Sequence, residues 1–338
     1  MSGVIFPPKI IPIVLMCAII VLFVQSCDIA EYRGYHTAPV VSGEQTFLSE
    51  GALKKWPLSE QWIIDMIDNS QKRAWVAVYT FTLPSLREAL VRAQKRGVDV
   101  RVILEKFPFW NSSLNRETQM FLEKNKIPLY QSGEKQFAFM HAKYMLLDDT
   151  WILETANWTR ASFSSNREFF LSWKDRGIYQ NLEHIFLTDF DGWKWKSNDV
   201  RLLAWPTNAR ERIIDFLDGT KKTVDIYAPS FSDAGLLTKL SQLCYEKKII
   251  RILLANYDDE NAQKPDYGAC IQVRKMKKPL HAKSIVRDED AAFVGSFNYT
   301  KNSLENNREI GVFMTWEGVK GISQSFESDW KQSEVALR

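Results

Sequence analysis

The spacing of apolar positions along this chain changes period at regular intervals. Residues 74–82 carry a run of β-branched and aromatic side chains, which predicts a strand. Over 86–95 the spacing becomes helical, with Leu86, Leu90 and Ala93 on one face and Gly97 as the C-terminal stop. Residues 98–104 return to a strand. The same order recurs at 224–228, 236–245 and 249–255, so each half predicts a β-α-β unit within a mixed α/β sheet.

That recurrence is a duplication. Residues 157–168 align without a gap with 298–309 and share Asn, Thr, Ser, Asn, Arg and Glu, six of twelve positions. Upstream, His141 and Lys143 match His281 and Lys283, each pair followed after four residues by Asp148 or Asp288. Further upstream, Ile63, Ile64 and Asp65 match Ile213, Ile214 and Asp215. The offset is 140 residues at the histidines and 150 at the isoleucines, which is a domain repeat rather than a solenoid. Two lobes packed face to face are expected.

The repeated triplet suggests chemistry. A histidine and a lysine two apart on a strand point to one face, so an imidazole and an ammonium share a pocket. That pair suits phosphodiesters: the imidazole attacks phosphorus or donates a proton, and the ammonium neutralises the non-bridging oxygens. The chain has only four histidines, His36, His141, His184 and His281, and two of them occupy equivalent places in the repeat.

Composition narrows the class. The 338 residues are 45% hydrophobic, 13% aromatic and 25% charged, which is globular. A net charge of +3 is too weak to argue by itself for a nucleic-acid binder, so an anionic substrate has to be held locally. Cys17, Cys27, Cys244 and Cys270 show none of the clustering of a structural zinc site, and no metal or cofactor is expected. Cys244 and Cys270 can pair in an oxidising compartment or remain buried thiols.

The two copies of His-x-Lys-x4-Asp, each followed by Asn and then Glu, resemble the phospholipase D superfamily from about Trp56 to Trp330. The resemblance implies two pseudo-twofold-related α/β lobes, each a mixed sheet flanked by helices, with the active site at their interface. His141 and Lys143 would face His281 and Lys283 across one phosphate. One histidine would form a phosphohistidine; the other would protonate the leaving oxygen and then activate water or an alcohol, without a cofactor. Asn157 and Asn298 match the family's phosphate-binding asparagine, and the hydroxyls of Thr155 and Ser296 are counted with them. Glu168 and Glu309, 27 and 28 residues after His141 and His281, match the carboxylate that holds an imidazole by its other nitrogen. Asp148 and Asp288 read as structural, binding backbone or an arginine at the following turn. Asn166, Arg167, Asn307 and Arg308 read as braces of the repeat interface. The first copy departs from the second: Glu154 and Thr155 stand where Gly295 and Ser296 do, and its turn from Asp148 to Asn157 is one residue shorter. A carboxylate at 154 would repel substrate unless it points away.

The N-terminus sets the expected location. Residues 10–24 are apolar and uncharged, and fifteen residues is short for a bilayer span but suits a signal-peptide core. The ending Val24, Gln25, Ser26, Cys27 resembles a bacterial lipoprotein box, with Cys27 lipidated; an uncleaved anchor is the alternative. The expected organisation is a signal or anchor at 1–26, a tether at 27–55, and lobes at 56–196 and 197–338. A monomer held on an extracytoplasmic membrane surface follows. A phospholipid substrate is favoured by this location and by the aromatic loop of Phe107, Phe109 and Trp110. A nucleic acid remains open, because the basic run Arg274, Lys275, Lys277 and Lys278 before His281 can follow a polynucleotide backbone or an anionic headgroup. Phosphate binding without catalysis is the third reading.

Overall fold

The computed structural model describes residues 51–55, 59–110, 113–132, 137–191, 197, 199–205, 208–255, 270–315 and 317–335. They lie within a compact unit, Gln45–Arg338, separate from Met1–Glu44. The expected signal or anchor, the expected lipidation site Cys27 and most of the expected tether lie outside the described residues.

The first lobe is built from β1 (Ala52–Lys55), α1 (Gln61–Asn69), β2 (Arg73–Val78), α2 (Pro84–Lys95), β3 (Asp99–Glu105), α3 (Arg116–Lys124), β4 (Leu129–Ser132), β5 (Tyr144–Leu147), β6 (Thr150–Glu154), α4 (Arg160–Ser164), β7 (Phe169–Trp173) and α5 (Arg176–Phe190). The second runs through β8 (Leu202–Ala204), α6 (Ala209–Asp218), β9 (Thr223–Ala228), α7 (Ala234–Tyr245), β10 (Ile249–Leu254), β11 (Ile271–Lys275), β12 (Ser284–Arg287), β13 (Ala291–Gly295), α8 (Lys301–Glu305), β14 (Ile310–Met314), α9 (Glu317–Gln332) and β15 (Glu334–Val335). The predicted β-α-β units are β2-α2-β3 and β9-α7-β10. Pro84 opens α2, where its missing N–H is no loss, and Gly97 follows that helix at φ 91°.

The sheets repeat one another. Their orders are β1-β7-β6-β5-β2-β3-β4 and β15-β11-β10-β9-β12-β13-β14-β8, with the core order β7-β6-β5-β2-β3-β4 matching β14-β13-β12-β9-β10-β11. β2, β3 and β4 are mutually parallel and β5, β6 and β7 antiparallel, so both sheets are mixed. β1 corrects one expected boundary: Ala52–Lys55, assigned to the tether, pairs with β7 as an edge strand of the first lobe.

The lobes pack face to face as the duplication implied. α5 buries Ile178, Leu182, Ile185 and Phe186, and α9 buries Val319, Ile322, Phe326 and Trp330, in one apolar cluster that also takes side chains from both sheets. Separate cores lie under α1 and α2 in the first lobe and under α6 and α7 in the second. With both faces covered, central strands such as β2 are apolar almost throughout, which is why they read as continuous runs.

Two histidines are held across the lobe interface

The histidines lie just before strands rather than on them: β5 begins at Tyr144 and β12 at Ser284. Each histidine segment is instead docked on the opposite lobe. The His141 N–H donates to the Arg308 carbonyl at 2.9 Å and the Arg308 N–H to Phe139 at 2.8 Å. In the mirror arrangement, the Ala282 N–H donates to the Arg167 carbonyl at 2.7 Å and the Arg167 N–H to Pro279 at 2.8 Å. The arginines lock the register. Arg308 forks onto Asp189 of α5 at 2.7 and 2.5 Å, and Arg167 onto Asp329 of α9 at 2.7 Å twice. Removing one partner of such a buried pair strands the other charge, at about 3–5 kcal/mol.

This docking decides which carboxylate meets which imidazole. His141 Nδ1 lies 2.9 and 3.0 Å from the Glu309 oxygens, and His281 Nδ1 lies 2.8 Å from Glu168 Oε1. Each glutamate therefore serves the histidine of the other lobe, not the one upstream in its own repeat. Both Nε2 atoms are left for a ligand. The hydroxyls of Thr155 and Ser296, expected at the phosphate, donate instead to Glu168 Oε2 at 2.6 Å and Glu309 Oε2 at 2.5 Å. Both residues are fully buried, so they orient carboxylates. Ser303 and Asn307, at 2.6 and 3.1 Å from Glu309 Oε1, join that shell; the repeated block had contained both without showing this use.

The lysines complete an electropositive centre. Lys143 Nζ donates to the His141 carbonyl at 2.6 Å and Lys283 Nζ to that of His281 at 2.5 Å. Burial, then the charge of Lys283, brings Lys143 down to about 7; burial brings Lys283 down to about 8. Burial also lowers His141 to about 4, against the pull of Glu309, and lowers His281. Glu168 and Glu309 would be raised by burial, yet their histidines, nearby lysines and hydroxyl donors hold them below the usual carboxylate value. Near neutral pH these shifts favour neutral imidazoles backed by carboxylates, beside two lysines whose charged forms burial disfavours and a bound anion would stabilise.

Other predicted residues fall around this centre. The Thr80 N–H donates to Asn157 Oδ1 at 3.3 Å, and among the described residues no hydrogen bond engages the Asn157 amide N–H groups. Thr80 follows Tyr79, whose ring packs 4.8 Å from that of His141. Asn298 donates its backbone N–H to Ser303 Oγ at 3.0 Å, and its side-chain oxygen is buried without a partner. Asp148 stands away from the pocket and accepts the backbone N–H groups of Gln71, Lys72 and Arg73 at 2.7–3.2 Å. Asp288 does the same for Lys221, Lys222 and Thr223 at 2.6–3.0 Å. These aspartates tie the β5–β6 and β12–β13 turns to the starts of β2 and β9; the bound turn precedes each sheet's central strand. Glu154 is buried, and the Trp158 indole donates to it at 3.1 Å. Burial above all, with the charge of Glu168, pushes it up to about 8, which favours the neutral carboxyl at pH 7 and weakens repulsion of an anion. Among the described residues no group of three or more His, Cys, Asp or Glu stands where it could hold a metal ion.

The family described as "Cardiolipin synthase, PLD-like domain" matches residues 63–190 and again 213–330. The chain belongs to this phospholipase D-like family. Its two matched segments coincide with the two lobes. The chain is 29% identical over 175 residues to a probable cardiolipin synthase of Bacillus subtilis, covering 49% of this chain and 34% of that protein. It is 30% identical over 124 residues to a mitochondrial cardiolipin hydrolase of Xenopus tropicalis, covering 35% and 54%. The matches thus span about a third to a half of those relatives' length. Among solved structures, phosphatidylserine synthase of Haemophilus influenzae aligns with a TM-score of 0.64 at 14% identity, over 84% of this chain and 87% of that one. Polyphosphate kinase of Porphyromonas gingivalis aligns with a TM-score of 0.67 at 15% identity, over 83% and 50%. At such identities these two likenesses concern the fold alone.

Proposed function

We propose that this chain is a phosphodiesterase of the phospholipase D type, hydrolysing or transferring the headgroup of phospholipids at a membrane surface through a phosphohistidine. The observation that carries the reading is the crossed pair of imidazoles, each held at Nδ1 by the other lobe's glutamate with Nε2 unengaged. A bound phosphodiester would sit between them, its non-bridging oxygens met by Lys143, Lys283 and the amide N–H groups of Asn157 and Asn298. Its negative charge favours protonation of one imidazole. The other attacks phosphorus through Nε2; the bond to the leaving oxygen breaks, and that oxygen takes the imidazolium proton. Water or an alcohol then attacks phosphorus, gives its proton to the neutral imidazole, and the P–N bond breaks with its electron pair returning to Nε2.

Similarity to a cardiolipin synthase and a cardiolipin hydrolase supports a phospholipid over a polynucleotide. Because one chain supplies both halves of the site, a monomer suffices. The Cys244–Cys270 disulfide, with Cα atoms 6.0 Å apart, supports an oxidising, extracytoplasmic setting, as does the apolar stretch at 10–24. Among the described residues no helix is long and apolar enough to cross a membrane. We place the anchor in the N-terminal segment. If Cys27 carries a lipid, Cys27→Ser should shift the intact mass and release the chain, whereas unchanged mass and retention favour an uncleaved anchor.

The deciding experiment incubates the full chain with mixed phospholipid vesicles and a single-stranded oligonucleotide in EDTA, with products identified by mass spectrometry. Phosphatidic acid or an exchanged headgroup is expected. Shortened oligonucleotide beside intact lipid would make the protein a nuclease, and loss of lipid turnover in EDTA with rescue by a divalent ion would overturn the proposed mechanism.

A further inference from the structure

Between β3 and α3 the first lobe exposes Phe107 at 41%, Phe109 at 63% and Leu114 at 48%. Scattered exposed apolar residues are ordinary; this group is built differently. Phe109 has φ 55°, the left-handed region that a bulky residue avoids, and its N–H donates to the Tyr79 hydroxyl at 2.6 Å. The Phe107 N–H donates to Glu105 Oε1 at 3.0 Å, while the other oxygen of that buried carboxylate takes the N–H of Met140, next to His141, at 2.7 Å. Tyr79 packs its ring against Phe109 at 5.3 Å and against His141 at 4.8 Å. The fold thus holds two aromatic rings out in solvent and fixes their backbone to the catalytic histidine segment.

Charge identifies what meets them. Lys106 is exposed, with its ammonium 5.1 Å from the Phe107 ring. On the other lobe, exposed Lys277 and Lys278 lie just before His281, and Lys277 forms a 3.5 Å ion pair with Glu334, both side chains over 60% exposed. Such a pair is weak and exchangeable for a lipid phosphate. Aromatic rings flanked by lysines suit an apolar layer beneath anionic headgroups; bases of a single strand would stack on the same rings, and the oligonucleotide arm of the test separates the two.

We propose that the Phe107–Phe109 loop and the Lys277–Lys278 segment dock the protein on an anionic phospholipid surface and deliver headgroups to the histidines. This inference rests on the lipid reading above. The full chain is reconstituted in phosphatidylcholine vesicles with or without phosphatidylglycerol, and amide hydrogen exchange is followed by mass spectrometry. Slower exchange over 106–110 with phosphatidylglycerol is expected. In parallel, turnover of vesicular phosphatidylglycerol is compared with turnover of a soluble short-chain analogue below its micellar concentration. Phe107→Ser with Phe109→Ser should lower the vesicle-to-soluble ratio by about tenfold per ring, because each loses the burial of one aromatic side chain. Phe109→Trp should keep the ratio. An unchanged ratio with unchanged exchange, while phosphatidylglycerol is still consumed, overturns the docking surface alone. Equal loss on both substrates overturns it too, assigning the loop to the site's folding. Oligonucleotide cleavage with intact lipid overturns the lipid reading and the docking surface with it.

Discussion

The two lobes share a sheet order and a histidine–lysine motif yet support their glutamates differently. Glu309, in the second lobe, receives Ser296, Ser303 and Asn307 at 2.5–3.1 Å as well as His141. Glu168, in the first, receives Thr155 at 2.6 Å and His281 at 2.8 Å, with Asn166 at a long 3.5 Å. Ser162, the counterpart of Ser303, turns to Thr159 at 3.1 Å instead. More donors spread the charge of Glu309 and leave it a weaker base toward His141. A duplicated site is therefore not a symmetric one: topology is common to both halves, while the electrostatic support of each imidazole is set separately.

The sharpest way to break the comparison is to remove one histidine at a time. His141→Ala and His281→Ala should each lower multiple turnover by about 10^4-fold or more, since nucleophile and acid are both required. Substantial residual cycling in either variant would sink the shared site. With a p-nitrophenyl leaving group, which leaves without a proton, the variant that keeps the nucleophile should still give a burst of p-nitrophenolate in rapid mixing. The variant with that burst identifies which half attacks phosphorus.

Next in size are the crossed carboxylates. Glu168→Gln should lower turnover by about 10^2- to 10^4-fold by allowing the wrong tautomer, and the altered nitrogen-15 signals should belong to His281. Glu309→Gln should do the same to His141. Signals that change on the histidine of the same lobe would contradict the crossed pairing.

The disulfide is a difference confined to the second lobe among the described residues. It joins Cys244 at the end of α7 to Cys270 before β11, 26 residues apart in sequence. Cys244→Ser with Cys270→Ser should cost about 3 kcal/mol of stability. Denaturant unfolding with and without reductant checks this: reductant should bring the unmodified chain to the variant's midpoint. An unmoved midpoint would mean that the bridge constrains nothing.

Much of this organisation was legible in the sequence because duplication writes it twice. Period changes marked β2-α2-β3 and β9-α7-β10, and the paired triplets marked the site. What stayed hidden depends on contacts between lobes. Nothing local to Glu168 says that it reaches across to His281; the crossing follows from docking of the His281 segment on Arg167. Thr155 and Ser296 were misplaced for the same reason, since a hydroxyl near a phosphate site reads alike whether it faces ligand or a buried carboxylate. The shorter first turn does have a visible cause: Asp148 and Asp149 alone link β5 to β6, whereas Asp288, Glu289 and Asp290 link β12 to β13.

The smallest expected effect at neutral pH concerns Glu154, where the packing of the two lobes differs. Gly295 occupies this place in the second lobe because a Cβ there would lie 2.5 Å from the Ile310 carbonyl and 2.6 Å from Gly311 Cα. The first lobe has Phe170 opposite Glu154, where Gly311 lies opposite Gly295, and Trp158 bonds the carboxyl. Tyr299, in the place of Trp158, has a buried hydroxyl without a partner. Folding raises Glu154 from 4.5 to about 8, so between these values the folded chain binds more proton than the unfolded one. This residue's contribution to stability is present below pH 4.5 and is lost as pH rises through about 8. His141, lowered to about 4, and Lys143 and Lys283, lowered to about 7 and 8, act in the opposite direction, and His281, Glu168 and Glu309 are shifted too, so the pH profile of the unmodified chain mixes many groups. Their common part cancels in the difference between that profile and the Glu154→Gln profile. Glu154→Gln should match the unmodified chain near pH 5, exceed it by about 2 kcal/mol near pH 7 and by about 4 kcal/mol near pH 9, because an amide has no proton to lose. Parallel profiles across that range would mean that Glu154 keeps its charge inside the lobe, and a charged carboxylate beside Lys143 would then have to be neutralised by that lysine rather than by a proton.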